Sequence, residues 1–115
     1  MKLSVFVFKF IDYAFDYVQN YYKYENIKTI KDVSYDDRCE ACKLDILVKE
    51  GAEGPFPVYM NIHGGGYVAG DKKHRRSFCA HIASRGYFVV NINHGLSPKY
   101  KYPDMVKHCL AALNW

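Results

Sequence analysis

The sequence has no apolar run approaching the ~20 residues that a bilayer-spanning helix requires, which argues against a membrane-embedded class. It has no large excess of charge of one sign: the net charge is +4 over 115 residues. Its single dense basic run, Lys72-Lys73-His74-Arg75-Arg76, has no aromatic residues interleaved with it, so a nucleic-acid surface is not expected. That run reads as the solvated first turn of a helix, with an anionic-ligand contact as the alternative. Internal repeats and low-complexity tracts are absent. No cleavable leader is expected: Lys2 is followed by apolar Leu3–Phe8, but Lys9, Asp12 and Asp16 interrupt the run and no small-x-small site follows. A cytoplasmic protein is the expectation, with a secreted or anchored form as the alternative. There are four cysteines. Cys39-Glu40-Ala41-Cys42 has metal or redox spacing, but Cys79 and His81, the nearby candidates to complete a zinc site, stand at i, i+2 on different faces of a helix. Free thiols and no metal are therefore expected.

What is abundant is apolar and aromatic matter, at 50% and 17% of the chain. This is enough for one folded core and excludes a disordered class. Nine aromatics (Phe6, Phe8, Phe10, Tyr13, Phe15, Tyr17, Tyr21, Tyr22 and Tyr24) fall in the first 24 residues, opposite a polar stripe of Lys2, Lys9, Asp12, Asp16, Gln19 and Lys23 at helical spacing. Residues 1–26 thus form an aromatic-rich amphipathic helix that needs a cover. Packing on its own fold is the ordinary solution; a lid over an acyl pocket, or contact of residues 2–24 with a membrane surface, are the less favoured ones.

Residues 27–115 alternate strand and helix signals. Thr29–Tyr35 is β-prone. Over Cys42–Lys49, Leu44, Ile46 and Val48 face one way and Lys43, Asp45 and Lys49 the other, so the two segments read as a hairpin across the polar turn 36–40. Val58–Ile62 reads as a short buried strand. Asp71 is placed to cap a helix running to about Arg85, with Gly86 as its stop. Tyr87–Ile92 is the next strand. Pro103 opens a last helix that turns Met105, Val106, Cys109, Leu110 and Leu113 inward. The order implies an α/β sheet opened by an antiparallel hairpin.

The strand at 58–62 runs directly into His63-Gly64-Gly65-Gly66-Tyr67, and Gly70-Asp71, Tyr87–Asn93, Leu96-Ser97-Pro98 and Tyr102-Pro103 follow in order. From Val58 to Trp115 this arrangement resembles the hormone-sensitive-lipase-like carboxylesterases of the α/β-hydrolase superfamily, and Leu44-Asp45-Ile46 is similar to the second strand of their sheet. The resemblance implies a partial α/β-hydrolase sheet, antiparallel hairpin first and parallel strands with flanking helices after, truncated before the nucleophile elbow. It implies that the backbone N–H groups of Gly65 and Gly66 form an oxyanion hole for a small carboxylic ester, supported by His63, Gly64 and Tyr67. It also implies that no cofactor is needed. One departure stands out: His94-Gly95 replaces the Tyr-Arg that often precedes Leu-Ala-Pro in these esterases.

No Gly-x-Ser-x-Gly turn occurs. Ser97 is followed by Pro98, which has no N–H to give an oxyanion, and Ser84 falls at a helix end. Ser97, Asp104 and His108 stand in triad order but without an elbow, so they read as a loop serine and a helix-surface pair. The expectation is an N-terminal fragment whose nucleophile, acid and base lie outside it, inactive alone and prone to self-association through an unpaired strand edge. The alternatives are a non-catalytic ligand- or partner-binding module and a small zinc or redox protein built on Cys39 and Cys42.

Overall fold

The computed structural model describes residues 3–20 and 22–115. Lys2, Tyr21 and the side chains of Phe8, Phe15, Asp16, Tyr17 and Gln19, which belong to the N-terminal expectation, lie outside the described residues. The elements are α1 (Leu3–Gln19), β1 (Ile27–Ser34), β2 (Lys43–Lys49), β3 (Val58–Ile62), a 3-10 turn (Lys72–Arg75), α2 (Arg76–Ser84), β4 (Phe88–Ile92) and α3 (Asp104–Asn114).

The four strands form one mixed sheet in the order β1-β2-β4-β3. β1 pairs antiparallel with β2, and β2 antiparallel with β4, while β3 and β4 are parallel. Parallel neighbours need a crossover, and α2 supplies it. Period-2 alternation then divides the core between two faces. Leu44, Val90 and Ile92 pack with Tyr35, Cys39, Cys42 and Ala112 of α3. Leu47 and Val89 pack with Cys79 and Ala83 of α2.

Because both faces are covered, alternation in β2 does not separate inside from outside. Asp45, expected on a solvent face with Lys43 and Lys49, is fully buried. It lies beside Asn91 of β4, which lies beside Asn61 of β3, and Asn61 Nδ2 donates to Asn91 Oδ1 at 2.9 Å. This polar row is capped by Lys72. Its Nζ donates to Asp45 Oδ1 at 2.6 Å and Asp32 Oδ1 at 2.7 Å. Its N–H donates to Asn93 Oδ1 at 2.7 Å, and its carbonyl accepts from Asn91 Nδ2 at 2.7 Å. A bulge in β1 between Ile30 and Val33 brings Asp32 to this lysine.

The basic run is accordingly not a solvated turn throughout: Lys72 and His74 are buried, while Lys73 and Arg75 are exposed. Asp71 does cap, accepting from Lys73 N–H at 3.0 Å, but it caps the 3-10 turn, and α2 begins only at Arg76. In α3 the buried residues are Met105, His108 and Ala112, whereas Val106, Leu110 and Leu113, expected inward, are exposed. Cys109, Ala111 and Ala112 pack against the cluster on one face of the sheet, so the covered side of the helix is the one that carries them.

Among the described side chains of the aromatic helix α1, Leu3, Phe6, Phe10, Tyr13 and Val18 are exposed. The helix rests on the segment that follows the glycines. Asp12 accepts from Gly70 N–H at 2.9 Å and pairs with His74 Nδ1 at 3.0 Å, and Asn20 Nδ2 donates to the Lys73 carbonyl at 2.8 Å. Among the described residues no helix is long and apolar enough to cross a membrane.

Candidate functional site

His63–Gly66 begins immediately after β3, at the C-terminal end of a strand that is parallel to its neighbour, the edge where open α/β sheets place ligands. The chain reverses there on backbone that only glycine adopts easily. Gly65 has φ +131°, and a Cβ on it would collide with the Ala69 carbonyl. The Gly65 carbonyl accepts from Val68 N–H at 3.3 Å and Ala69 N–H at 3.1 Å, which closes the turn. The N–H groups of Gly65 and Gly66 donate to no partner among the described residues. Gly64, Gly65, Gly66 and Tyr67 line a cavity of about 240 Å³ with Ile62, His63, His94, Met105, Val106 and Cys109. A larger cavity of about 430 Å³, between Asn20, Tyr22, Lys23 and Tyr24 on one side and β1 and α2 on the other, shares no lining residue with it. Unpartnered donors beside a cavity can bind an electron-rich oxygen.

His63 is buried, and its Nδ1 donates to the Gly64 carbonyl at 2.8 Å. With that tautomer Nε2 is a bare acceptor, and it has no partner among the described residues. The ring stacks on His94 at a centroid distance of 4.5 Å. His94, which the sequence marked only as a departure, is therefore the residue that braces His63. Gly95, the other departure, has no room for a side chain: a Cβ would collide with the ring of Tyr100 and stand 2.8 Å from His108 Cε1. His108 Nδ1 accepts the Gly95 N–H at 3.0 Å.

Burial holds His63 below the ordinary imidazole pKa, against the opposing effect of its bond to Gly64, and burial also holds His108 below it. A lowered folded-state pKa means that the unfolded chain binds more protons once pH falls below about 6.5. The contribution of both residues to stability is thus present above that pH and lost as pH falls through it. Thermal midpoints measured between pH 7.5 and 5.5 should decline on acidification; an unchanged or rising midpoint would contradict the buried neutral state of both rings.

The structure does not assemble Ser97, Asp104 and His108. His108 Nδ1 is taken by Gly95, Asp104 Oδ2 accepts from Lys101 N–H at 3.2 Å, and no hydrogen bond among the described residues joins the three. Ser84 Oγ donates to the His81 carbonyl at 2.6 Å.

The expectation of four free thiols is corrected. Cys39 and Cys42 are joined as a disulfide, because Cys42 N–H bonds to the Cys39 carbonyl at 3.1 Å and folds the turn on itself. Cys79 and Cys109 are free, and burial pushes the Cys79 thiol up to about 12. Cys79 packs on the α2 face of the sheet, the face opposite Cys39 and Cys42, so it cannot join them. His108 can: the ligand atoms of Cys39, Cys42 and His108 lie within 4.8 Å of one another. No spacing rule links residues 39 and 108, so this contact was invisible in the sequence.

Comparison with known proteins gives a consistent picture. The BD-FAE family model matches residues 44–115. The chain is 33% identical over 77 residues to versiconal hemiacetal acetate esterase of Dothistroma septosporum, covering 66% of this chain and 24% of that protein. It is 33% identical over 60 residues to esterase LipI of Mycobacterium tuberculosis, covering 51% and 19%. Among solved structures, esterase B of Lactobacillus rhamnosis inhibited by a tributyrin phosphonate superposes with a TM-score of 0.81 at 23% identity, over 90% of this chain and 35% of that one. The chain thus spans about a quarter or less of the length of these curated relatives. Mixed sheet, element order and family match agree that the chain belongs to the BD-FAE family of α/β-hydrolases, in their esterase and lipase branch, and corresponds to the N-terminal part of that fold.

Proposed function

We propose that this chain supplies the oxyanion-stabilising loop of a serine carboxylic-ester hydrolase, whose nucleophile, acid and base come from outside these 115 residues. The observation that carries the reading is the glycine loop itself: two N–H groups without partners among the described residues, beside a cavity, at the C-terminal end of β3. In acyl transfer the carbonyl oxygen gains a full negative charge. A preorganised donor aimed at it contributes about 3–4 kcal/mol in the transition state. Gly65 and Gly66 are the donors. His63, locked by the Gly64 carbonyl and the His94 ring, holds the loop and leaves proton transfer to another group. A small carboxylic ester is the substrate class, no metal or organic cofactor enters the ester chemistry, and nucleic acid is not a partner.

The test is Gly65→Ala in the protein expressed from the complete reading frame. The added methyl displaces the loop from the Ala69 carbonyl, and kcat for an aryl ester should fall about 100-fold with KM little changed. An unchanged kcat in a folded variant would refute the assignment.

The same reading predicts self-association of the isolated chain. β3 is a terminal strand of the sheet, and Val58 and Ile62 are 67% and 50% exposed. Unpaired strand edges template pairing. Size exclusion should give oligomers. A sharp monomer with cooperative unfolding would instead favour a self-sufficient, non-catalytic binding module.

A further inference from the structure

We propose that Cys39, Cys42 and the imidazole of His108 form a zinc-binding site when both cysteines are reduced, clamping the β1–β2 turn to α3. The three residues come from segments 66 positions or more apart and meet in the buried cluster on the α3 face of the sheet, where Cys39, Cys42 and His108 are all buried. Cys39 Sγ stands 4.0 Å from His108 Nδ1. A tetrahedral zinc with Zn–S near 2.3 Å and Zn–N near 2.05 Å holds sulfur and nitrogen about 3.6 Å apart, so the imidazole already stands close to ligating distance.

The tautomer of His108 suits ligation once the Gly95 N–H is displaced. Accepting the Gly95 N–H at Nδ1 places its proton on Nε2, so the nitrogen nearer the cysteines carries a lone pair. The edge of the Tyr100 ring, 5.1 Å away between centroids, fixes the plane of the imidazole. The missing side chain at Gly95 is what admits the imidazole to this place.

The donor set selects the metal. Two thiolates and one imidazole are a borderline-soft set that suits zinc and disfavours magnesium or calcium. The balance is simple: two thiols release two protons to solvent, and two thiolates with one neutral imidazole neutralise the dication. Metal replaces the Gly95 N–H as the partner of Nδ1. The cluster contains three ligand residues, so the fourth position is open to water or another small donor. The disulfide between Cys39 and Cys42 is the competing state, since its formation gives up two electrons and two protons to an oxidant and leaves no thiolate to bind metal; a thiol reductant returns the pair to the ligating state. Metal occupancy is thereby confined to reducing conditions.

The test is cobalt titration of the reduced, anaerobic chain, with four thiols per chain verified beforehand. One equivalent should produce thiolate-to-cobalt charge-transfer absorption and intense tetrahedral d–d bands, both abolished by one equivalent of zinc. Cys39→Ser and Cys42→Ser should each abolish the charge-transfer signal of the pair or weaken binding more than 100-fold, and His108→Asn should weaken it at least tenfold. Cys79→Ser, on the other face of the sheet, should leave it intact. Should a site variant fail to fold, alkylation mapping of the unmutated chain decides: zinc should protect Cys39 and Cys42 but not Cys109. Absence of the charge-transfer band in the fully reduced chain, or equal alkylation of all three cysteines with and without zinc, would overturn the proposal.

Discussion

The purified 115-residue chain should release no alcohol from short-chain aryl esters above the buffer rate, and a serine-directed fluorophosphonate should leave it unlabelled. The reasoning is chemical. An oxyanion loop lowers the energy of a tetrahedral intermediate but cannot form one; that requires a nucleophile next to a base. The five serines of the chain are Ser4, Ser34, Ser77, Ser84 and Ser97. Ser34 Oγ is hydrogen-bonded to Asp37, Ser77 Oγ to the Tyr22 carbonyl and Ser84 Oγ to the His81 carbonyl. Ser97 precedes a proline, and no histidine among the described residues bonds to it. Ester turnover with first-order labelling of any of these serines would show that the chain carries its own nucleophile.

Replacing Lys72 with methionine should cost about 3–5 kcal/mol of folding stability, a large share of the 5–15 kcal/mol typical of a domain. Asp45 is fully buried, and among the described residues its carboxylate keeps only the Asp32 N–H at 3.0 Å and Arg76 Nε at 3.9 Å once the ammonium is gone. A buried carboxylate without its partner is among the most destabilising single changes. Asp32, whose side chain is 67% exposed, contributes little, and Asp32→Ala should cost at most about 1 kcal/mol. The double variant Lys72→Met with Asp45→Leu should regain most of the loss, because it removes both charges together. Burial opposes the ammonium, but its bonds to Asp32 and Asp45 win and raise the Lys72 pKa. This contribution is therefore complete below the ordinary lysine range and lost as pH rises through the raised value. Urea unfolding checks the series; a Lys72→Met midpoint within 1 kcal/mol of the parent would mean that Asp45 is satisfied by other groups.

Local signals made much of this fold legible. Alternation in 42–49, the apolar run 58–62, the Asp71 cap and the Gly86 stop each depend on a few adjacent residues, and each marks an element close to where it lies. The glycine loop was legible because its geometry needs glycine itself. Three features were not. Asp45 reads as an outward residue because alternation tells two faces apart, not whether either is wet; only the crossing of the 3-10 turn over the sheet buries it. Lys72 looks like one of five solvated basic residues, and its burial depends on a bulge some 40 residues earlier. His108 meets Cys39 through the packing of α3 on the sheet, which no spacing encodes. The exposed Val106, Leu110 and Leu113 of α3 belong to the same class: amphipathicity states that a face needs a cover, and tertiary structure decides where the cover lies.

The central claim is that Gly65 and Gly66 donate to the oxygen of a reacting ester. The most direct measurement is the structure of the protein expressed from the complete reading frame after reaction with a phosphonate ester, which fixes an oxygen where the oxyanion forms. The account predicts phosphorus bonded to a serine outside these 115 residues, with the phosphoryl oxygen about 3 Å from the backbone nitrogens of Gly65 and Gly66. A phosphoryl oxygen held by other donors, or phosphorus on Ser97, would contradict it.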